Sequence, residues 1–582
     1  MAKIKIAMAQ LNTVVGALDY NLEKINNAIL TADQKDADLI IMPETALTSY
    51  PCEDLLLKHS FINETEKRIW KIVELSKKVS TAILLTAPTI EEYKSQKLIR
   101  NSAMLIEKGE IKKIINKKSL PNYGVFDENR YFQPASTLST IEFRGFTHSI
   151  LICEDLWNLK NLFMLQEQII DNIIVVNSSP FTKNKHQKRI AIAKNFSTSL
   201  CKPLLYINQI GGQDNLVFDG NSFAIDENGN QILQMLDFEE DFKIIELEKT
   251  QNKITNSTLQ NTNQTKIINI FDSNNKNINI TESINCIFTE NQENINESIY
   301  QAVVLGLRDY VTKNNFKTVL LGMSGGIDSA MVATIAVDAL GSENVKLYAL
   351  PSRYNSQESM DDALLCAKNL NIKLNIINIE KTFIAITESL GNEINQSPEN
   401  KTLENIQSRI RGNLLMALAN EQNSLLLTTS NKSELATGYG TIYGDMCGAF
   451  NVLKDLYKTT VHELALFRNK KKCKISLYQK TSIIPENIIK KEPSAELREN
   501  QKDSDSLPDY KILDKILELL IEESFSINQI VNKGFENETV KKVAKLLLMS
   551  EYKRKQSPIG VKISEMSFDK DRRYPLTNKF FF

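Results

Sequence analysis

The sequence predicts an α/β protein of more than one domain, the later one built as a doubly wound parallel sheet. Three observations carry this expectation. The chain has 582 residues, and single cores stop growing at about 250 to 300 residues. Apolar runs of strand length alternate with helical patterns through most of it. A stretch rich in Asn, Thr, Gln and Ser, centred on Asn274-Asn275-Lys276-Asn277, separates two such series and reads as a linker. The expected division is therefore residues 1–248, a linker at 249–294, and residues 295–582. Within the linker, Ile267 to Phe271 has the composition of one edge strand.

The bulk composition narrows the function. With 70 basic and 71 acidic side chains the formal charge is -1, which gives no electrostatic case for a nucleic-acid or membrane partner. No apolar run reaches the roughly 18 residues of a spanning helix, and the opening MAKIKIAMAQ is too short and too charged for a signal sequence. A cytoplasmic protein is expected. The 7 cysteines form no CxxC pair, the pattern of reduced thiols and not of a disulfide framework or zinc site.

In the first series, Lys3 to Gln10 alternates like a strand and Asn21 to Leu30 follows as a helix. Ala37 to Met42 is a buried strand stopped by Pro43, which sets Glu44 at a strand end, where side chains project into a shared cleft. Another strand, His148 to Ile152, runs into Cys153-Glu154-Asp155, the strand-to-helix elbow at which nucleophiles are presented. A thiol near its free pKa is mostly protonated, so a carboxylate must take its proton, and the oxyanion that forms needs a positive donor.

The segments Pro43-Glu44, Lys117-Lys118-Ser119-Leu120-Pro121 and Cys153-Glu154-Asp155 resemble the Glu, Lys and Cys set of the nitrilase (carbon-nitrogen hydrolase) superfamily. The resemblance implies a nitrilase-like αββα sandwich with Glu44 as base, Cys153 as nucleophile and Lys117 as oxyanion donor, Lys118 being the alternative. It also implies an assisting glutamate at Glu128, within Phe126-Asp127-Glu128-Asn129-Arg130. Asn177-Ser178-Ser179-Pro180-Phe181 and the helix around Arg189 resemble the glutamine-using branch, which implies that Ser178, Arg189 and Tyr123 hold the amino-acid end of glutamine. The chain departs from that pattern at Ser49, where Gly is usual, and at Thr45, where Leu is common.

In the second series, an amphipathic helix at Glu297 to Thr312 leads to the strand Thr318 to Leu321. Then come the turn Gly322-Met323-Ser324-Gly325-Gly326 and a helix from Met331 to Leu340. Strands at Val345 to Leu350, Lys373 to Ile379 and Ser424 to Thr429 alternate with helices at Ser359 to Leu370 and Leu403 to Ala419. A ligand is expected off the carboxyl ends of these strands. Paired glycines let backbone approach a ligand closely, and N-H groups at a helix start favour anionic oxygens. This is not a Walker A loop, since no Lys follows and Asp328 would repel a phosphate. A divalent cation between carboxylate and phosphate resolves that conflict; Glu434 supplies a second hard oxygen, and magnesium suits the pair.

The string Ser324-Gly325-Gly326-Ile327-Asp328-Ser329-Ala330 resembles the pyrophosphatase-type loop of ATP-dependent amide-forming enzymes. Asn405 to Arg411, Asn431 to Glu434, Gly438 to Met446, Asp455 to Thr459, Lys491 to Leu497 and Glu551 to Arg554 resemble the NAD synthetase family. A nitrilase-like domain in front makes the likeness one to its glutamine-dependent branch. The resemblance implies ATP contacts from Ser324, Gly325, Gly326, Ile327, Asp328, Ser329 and Thr429. It implies deamido-NAD contacts from Arg409, Glu434, Asp445, Lys458 and Lys553, with Mg2+ on Asp328 and Glu434. It further implies a lid from Ser494 to Asp509, passage of ammonia between two sites, and an assembly of at least a dimer.

Overall fold

A computed structural model describes residues 2–93, 96–250, 264–272, 292–395, 397, 400–494, 496–499 and 501–580. The chain divides into two compact units, one of residues 1–213 and 217–289 and one of residues 290–582 with residues 214–216. The remaining parts of the expected linker, 251–263 and 273–291, lie outside the described residues.

The first unit runs β1 (Ala2–Gln10), α1 (Leu18–Gln34), β2 (Leu39–Ile41), α2 (His59–Leu75), β3 (Ala82–Tyr93), β4 (Gln96–Glu107), β5 (Glu110–Asn116), β6 (Thr140–Phe143), β7 (Phe146–Ile152), α3 (Glu154–Trp157), α4 (Leu159–Gln166), β8 (Asn172–Asn177), α5 (Lys185–Leu200), β9 (Leu204–Asn208), β10 (Ile210–Gln213), β11 (Leu216–Asp219), β12 (Phe223–Ile225), β13 (Gln231–Gln234), β14 (Asp241–Thr250) and β15 (Gln264–Phe271). A seven-stranded sheet has the order β15-β14-β1-β2-β3-β4-β5 and a six-stranded one β13-β12-β9-β8-β7-β6. The two sheets face each other across one apolar core, including Ile6, Leu84, Ile150 and Ile174. α1 and α2 cover the outer face of the larger sheet, and α4 and α5 that of the smaller, so the layers are α-β-β-α. Strand β8 is buried along its whole length, as a central parallel strand covered on both faces must be. α1 buries Leu18, Leu22, Ile25 and Ile29, the single stripe expected of a surface helix.

The edge strand expected at Ile267 to Phe271 is present as the longer β15, which arises inside the Asn-rich stretch and pairs antiparallel with β14, because its alternating apolar residues complete an edge that β14 would otherwise leave open.

The second unit runs α6 (Gln292–Lys313), β16 (Val319–Gly322), α7 (Ile327–Leu340), β17 (Val345–Ala349), α8 (Gln357–Asn369), β18 (Leu374–Ile376), α9 (Glu380–Leu390), α10 (Lys401–Glu421), β19 (Leu425–Thr428), α11 (Lys432–Thr437), β20 (Phe450–Asn451), α12 (Lys458–Lys470), α13 (Glu486–Lys490), α14 (Tyr510–Ile521), α15 (Ile527–Val531), α16 (Asn537–Met549) and α17 (Glu551–Arg554). The sheet order is β18-β17-β16-β19-β20, with every pair parallel. Helices α9 and α10 pack on one face, while α6 and α12 pack with α7 on the other. This is the doubly wound sheet expected.

One helix boundary differs from the sequence reading in a way that matters. α7 begins at Ile327 with Gly326 as its N-cap, not at Met331, which places Asp328 and Ser329 in its first turn. The carboxylate there meets the positive end of the helix.

Candidate active site

Each unit carries one polar centre at the carboxyl ends of its strands. In the first, Pro43 ends the run from β2 and sets Glu44 inside the sandwich, fully buried. Lys117 directly follows β5 and is also buried. Its Nζ donates to Glu44 Oε1 at 2.7 Å and to Glu128 Oε1 at 2.8 Å. Asn101 Nδ2 donates to Glu44 Oε1 at 2.7 Å, and the Ser178 backbone N donates to Glu44 Oε2 at 3.0 Å. Tyr50 Oη donates to Glu128 Oε1 at 2.9 Å.

Cys153 closes β7 with φ 49, a left-handed conformation that costs a non-glycine residue about 1 to 3 kcal/mol and clusters at functional sites. Burial, then the negative charge of Glu44, push the Cys153 thiol well above its ordinary value, while Lys117 opposes them. The thiol is therefore protonated at rest and reacts only with a proton acceptor beside it. Asp155 fixes the elbow by accepting from the backbone N of Ile152 at 3.1 Å and of Ser119 at 2.6 Å. That contact also ties the segment after Lys117 to the nucleophile.

In the second unit a cavity of about 310 Å³ opens over the glycine turn. Gly325 has φ +83, and a Cβ there would run into the Ser359 backbone, so this turn admits only glycine. The Ser324 and Ser329 hydroxyls lie 3.1 Å apart, and the Gly326 N donates to Ser324 Oγ at 3.2 Å. Lys458, at the start of α12, donates from Nζ to Asp328 Oδ2 and lies 3.5 Å from Glu434 Oε1. Burial works against the Lys458 charge, but Asp328 and then Glu434 raise its pKa above the usual lysine value. Burial, then the charge of Asp328, push Glu434 up to about 8 against the pull of Lys458. Near neutral pH Glu434 thus holds its proton beside the Asp328–Lys458 pair, and a divalent cation bound there would displace that proton. The donor set fits Mg2+: Asp328 and Glu434 bring two carboxylates together beside the glycine turn, and magnesium takes one or two carboxylates with the rest from phosphate and water.

Residues 5–252 match the carbon-nitrogen hydrolase family and residues 299–557 match NAD synthase. The chain is 38% identical over 578 residues to a glutamine-dependent NAD(+) synthetase of Acinetobacter baylyi, covering 99% of each. It is 40% identical over 583 residues to one of Aquifex aeolicus, covering 99% of this chain and 100% of the relative. The chain belongs to the glutamine-dependent NAD(+) synthetases. A solved synthetase of this family from Acinetobacter baumannii, in complex with ADP, is 37% identical and matches with a TM-score of 0.72 over 99% of each chain. The one from Cytophaga hutchinsonii, 19% identical, shares the fold with a TM-score of 0.78.

In this family member Glu44, Lys117, Glu128 and Ser178 form one hydrogen-bonded cluster, in which Cys153 feels the charges of Glu44, Lys117 and Glu128. Tyr123 sits at the rim of this cluster, 58% exposed, donates from Oη to Glu154 Oε2 at 3.0 Å, and feels the charges of Cys153 and Lys117. Arg189 is placed differently from the expectation. Fully buried, it holds Asp219 with Nη1 at 2.8 and 2.9 Å, and its remaining donors reach Ser179 Oγ and the carbonyls of Ser179 and Pro180. With its fork saturated it shapes the loop after Ser178 and has no donor left for a ligand. Ser49, the departure from Gly, has φ 61, and its hydroxyl accepts from Gln209 Nε2 at 3.2 Å. Thr45 too is left-handed, at φ 46.

In the second unit, Ser324 to Ser329, Thr429, Glu434, Asp445 and Lys458 all line the cavity, and Arg409 and Lys553 do not. Arg409 donates to the Ile442 carbonyl at 3.2 Å, and Lys553 to those of Gly438 and Gly440 at 2.7 and 2.9 Å; both brace the loop that carries Asp445. Arg411 lines the cavity instead. On α10 the lining residues are Ser408, Arg411, Gly412 and Leu415, an i, i+3, i+4, i+7 stripe from which Arg409 points away. That periodicity was available in the sequence. Lys491 and Asp503 also line the cavity; the first begins a segment that carried the family resemblance and the second lies in the expected lid, though neither was given a role of its own.

Glu128 gives the first centre a pH dependence. Burial raises its carboxyl, Lys117 opposes, Glu44 adds to the rise, and the group is pushed from 4.5 up to about 7. The folded state therefore holds this proton more tightly than the unfolded chain. The associated stability is complete in acid and is lost as pH rises through about 7. Relative to Glu128→Gln, which does not titrate, the melting temperature of the wild-type first unit should fall by on the order of 5 °C between pH 4.5 and 7 and then level off. A difference that stays constant with pH would show that Glu128 does not titrate there.

Proposed function

We propose that this chain makes NAD from deamido-NAD, ATP and the side-chain amide of glutamine, with residues 1–248 as glutaminase and 295–582 as synthetase. The observation that carries the reading is the pairing of a strand-end Cys-Glu-Lys cluster with a glycine turn facing two carboxylates and Lys458 in one chain. In the first centre Cys153 Sγ attacks the amide carbon of glutamine as Glu44 takes the thiol proton. The Lys117 ammonium stabilises the tetrahedral oxyanion. Glu44 returns the proton to the departing nitrogen, ammonia leaves, and water activated by Glu44 hydrolyses the thioester to glutamate.

In the second centre a nicotinate oxygen of deamido-NAD attacks the α-phosphorus of ATP, and the bond to the pyrophosphate leaving group breaks. The N-H groups of residues 324–329 and the Lys458 ammonium receive the charge on the phosphates. Mg2+, held by Asp328 and Glu434, would neutralise phosphate charge when bound. Ammonia from the first centre attacks the acyl-adenylate carbonyl, AMP leaves, and the amide loses a proton. Ammonia must stay neutral on the way, because ammonium has no lone pair. An assembly of at least a dimer and a cytoplasmic location belong to the same reading. No helix among the described residues is long and apolar enough to cross a membrane.

The test supplies deamido-NAD, ATP, magnesium and glutamine labelled with heavy nitrogen at its amide, together with unlabelled ammonium. The expected product is NAD carrying the label at far above the fraction that mixing with the ammonium pool would give. Unlabelled NAD would disconnect the two centres, and no NAD at all would remove the reading.

A further inference from the structure

Asn101 lies on β4, 1% exposed, where no family resemblance singles it out. Its side chain reaches one partner, Glu44 Oε1, through Nδ2 at 2.7 Å. Its backbone carbonyl accepts from the Lys117 N at 2.8 Å. The regular β4–β5 ladder ends with the pair Ser102 and Asn116, so this bond carries Lys117 one step beyond it. Asn101 Oδ1 is buried without a partner. The one contact that its side chain makes is therefore with the Glu44 carboxylate. Turning the amide over does not help, because Oδ1 would then face a carboxylate oxygen.

The carboxylate of Glu44 shows what the amide does. An ionised carboxylate has about four acceptor positions, two on each oxygen. Asn101 Nδ2 and Lys117 Nζ both point at Oε1, and the Ser178 N takes one position on Oε2. The position left over is on Oε2. We propose that Asn101 is a positioning residue of the glutaminase centre: by filling Oε1 together with Lys117, it fixes the Glu44 plane and leaves Oε2 as the oxygen that exchanges the proton with Cys153. This deepens the reading of the first centre as a glutaminase and rests on it. Without Asn101 the carboxylate is free to rotate about its last bond, and Lys117 is free to pull either oxygen.

The experiment uses the full chain with Asn101→Leu, similar in volume and without a donor, and Asn101→Asp, similar in shape and an acceptor. Four quantities are read for each: kcat and KM for glutamine hydrolysis, the rate of Cys153 alkylation by iodoacetamide, the rate of ammonium-driven NAD formation, and the melting temperature. The second-unit rate reports on folding of the same molecules. The expected result is a fall in glutaminase kcat of about 10²-fold or more in both variants, the scale of an impaired general base. KM should stay within about twofold, alkylation should slow, and ammonium-driven synthesis should be unchanged. Asn101→Leu removes an unsatisfied buried oxygen and also one donor to the buried Glu44 carboxylate, effects of opposite sign, so its melting temperature should stay within about 5 °C of wild type. Glutaminase kcat within about threefold of wild type in a folded Asn101→Leu protein would overturn the proposal, as would a loss carried by KM alone. If Asn101→Leu does not fold, Asn101→Asp decides: full glutaminase activity there overturns the proposal, and selective loss supports it. A wild-type chain that hydrolyses no glutamine would instead remove the reading on which the proposal rests.

Discussion

Replacing Cys153 by Ala should lower glutamine-driven NAD formation by at least about 10³-fold and leave ammonium-driven formation within about twofold of wild type. The nucleophile has no substitute in its surroundings. Cys52, the other buried thiol near this centre, donates to the Ser49 carbonyl at 3.1 Å, and burial pushes it up to about 12. The Cys153 side chain is small and accepts truncation readily, so the sandwich around β7 should fold as before. Ammonium-driven synthesis should survive because every residue lining the adenylating cavity comes from the second unit. Rates of NAD formation with glutamine and with ammonium chloride, measured on the same preparation, give the ratio directly. Equal loss with both nitrogen sources would contradict two independent centres.

The complementary substitution, Asp328→Asn, should stop synthesis from either nitrogen source, by about 10² to 10³-fold in pyrophosphate release, while glutamine hydrolysis persists. Asp328 holds Lys458 on Oδ2 and accepts from Asn431 Nδ2 on Oδ1 at 3.1 Å. The amide keeps the shape and removes the charge. Lys458 is then left with Glu434 at 3.5 Å as its anionic partner, and the hard-oxygen pair suited to magnesium becomes a single carboxylate. The phosphate cradle and the nucleotide cavity remain, so ATP should still bind more weakly while the adenylation step fails. Pyrophosphate release within about fivefold of wild type would show that the carboxylate at 328 is not part of the reacting centre. Simultaneous loss of glutamine hydrolysis would point to a folding defect.

Much of this was legible in the chain as written. Strand β7 running into Cys153, Pro43 stopping the run before Glu44, and the glycine turn ahead of α7 are local arrangements in which neighbouring residues dictate the backbone, so their positions follow from the sequence. The doubly wound sheet followed from alternating patterns for the same reason. The boundary of α7 was misplaced because a helix rich in small apolar residues and buried on every side has no polar face to mark its start. Arg189 was expected at a ligand because its segment resembles the glutamine-using branch, whereas Asp219, 30 residues away, occupies its fork. Arg409 was expected at the substrate through the family resemblance, although the helical stripe sets Arg411 and not Arg409 toward the cavity.

By itself the sequence determined the inventory of this protein: a thiol, a base and an ammonium at strand ends in one half, and a glycine turn with two carboxylates in the other. Only the tertiary structure decided who meets whom. Glu44 is held by Asn101, Lys117 and Ser178, at separations of 57, 73 and 134 residues. Such pairings depend on the order and register of strands brought together by the whole core, and spacing along the chain carries no record of them.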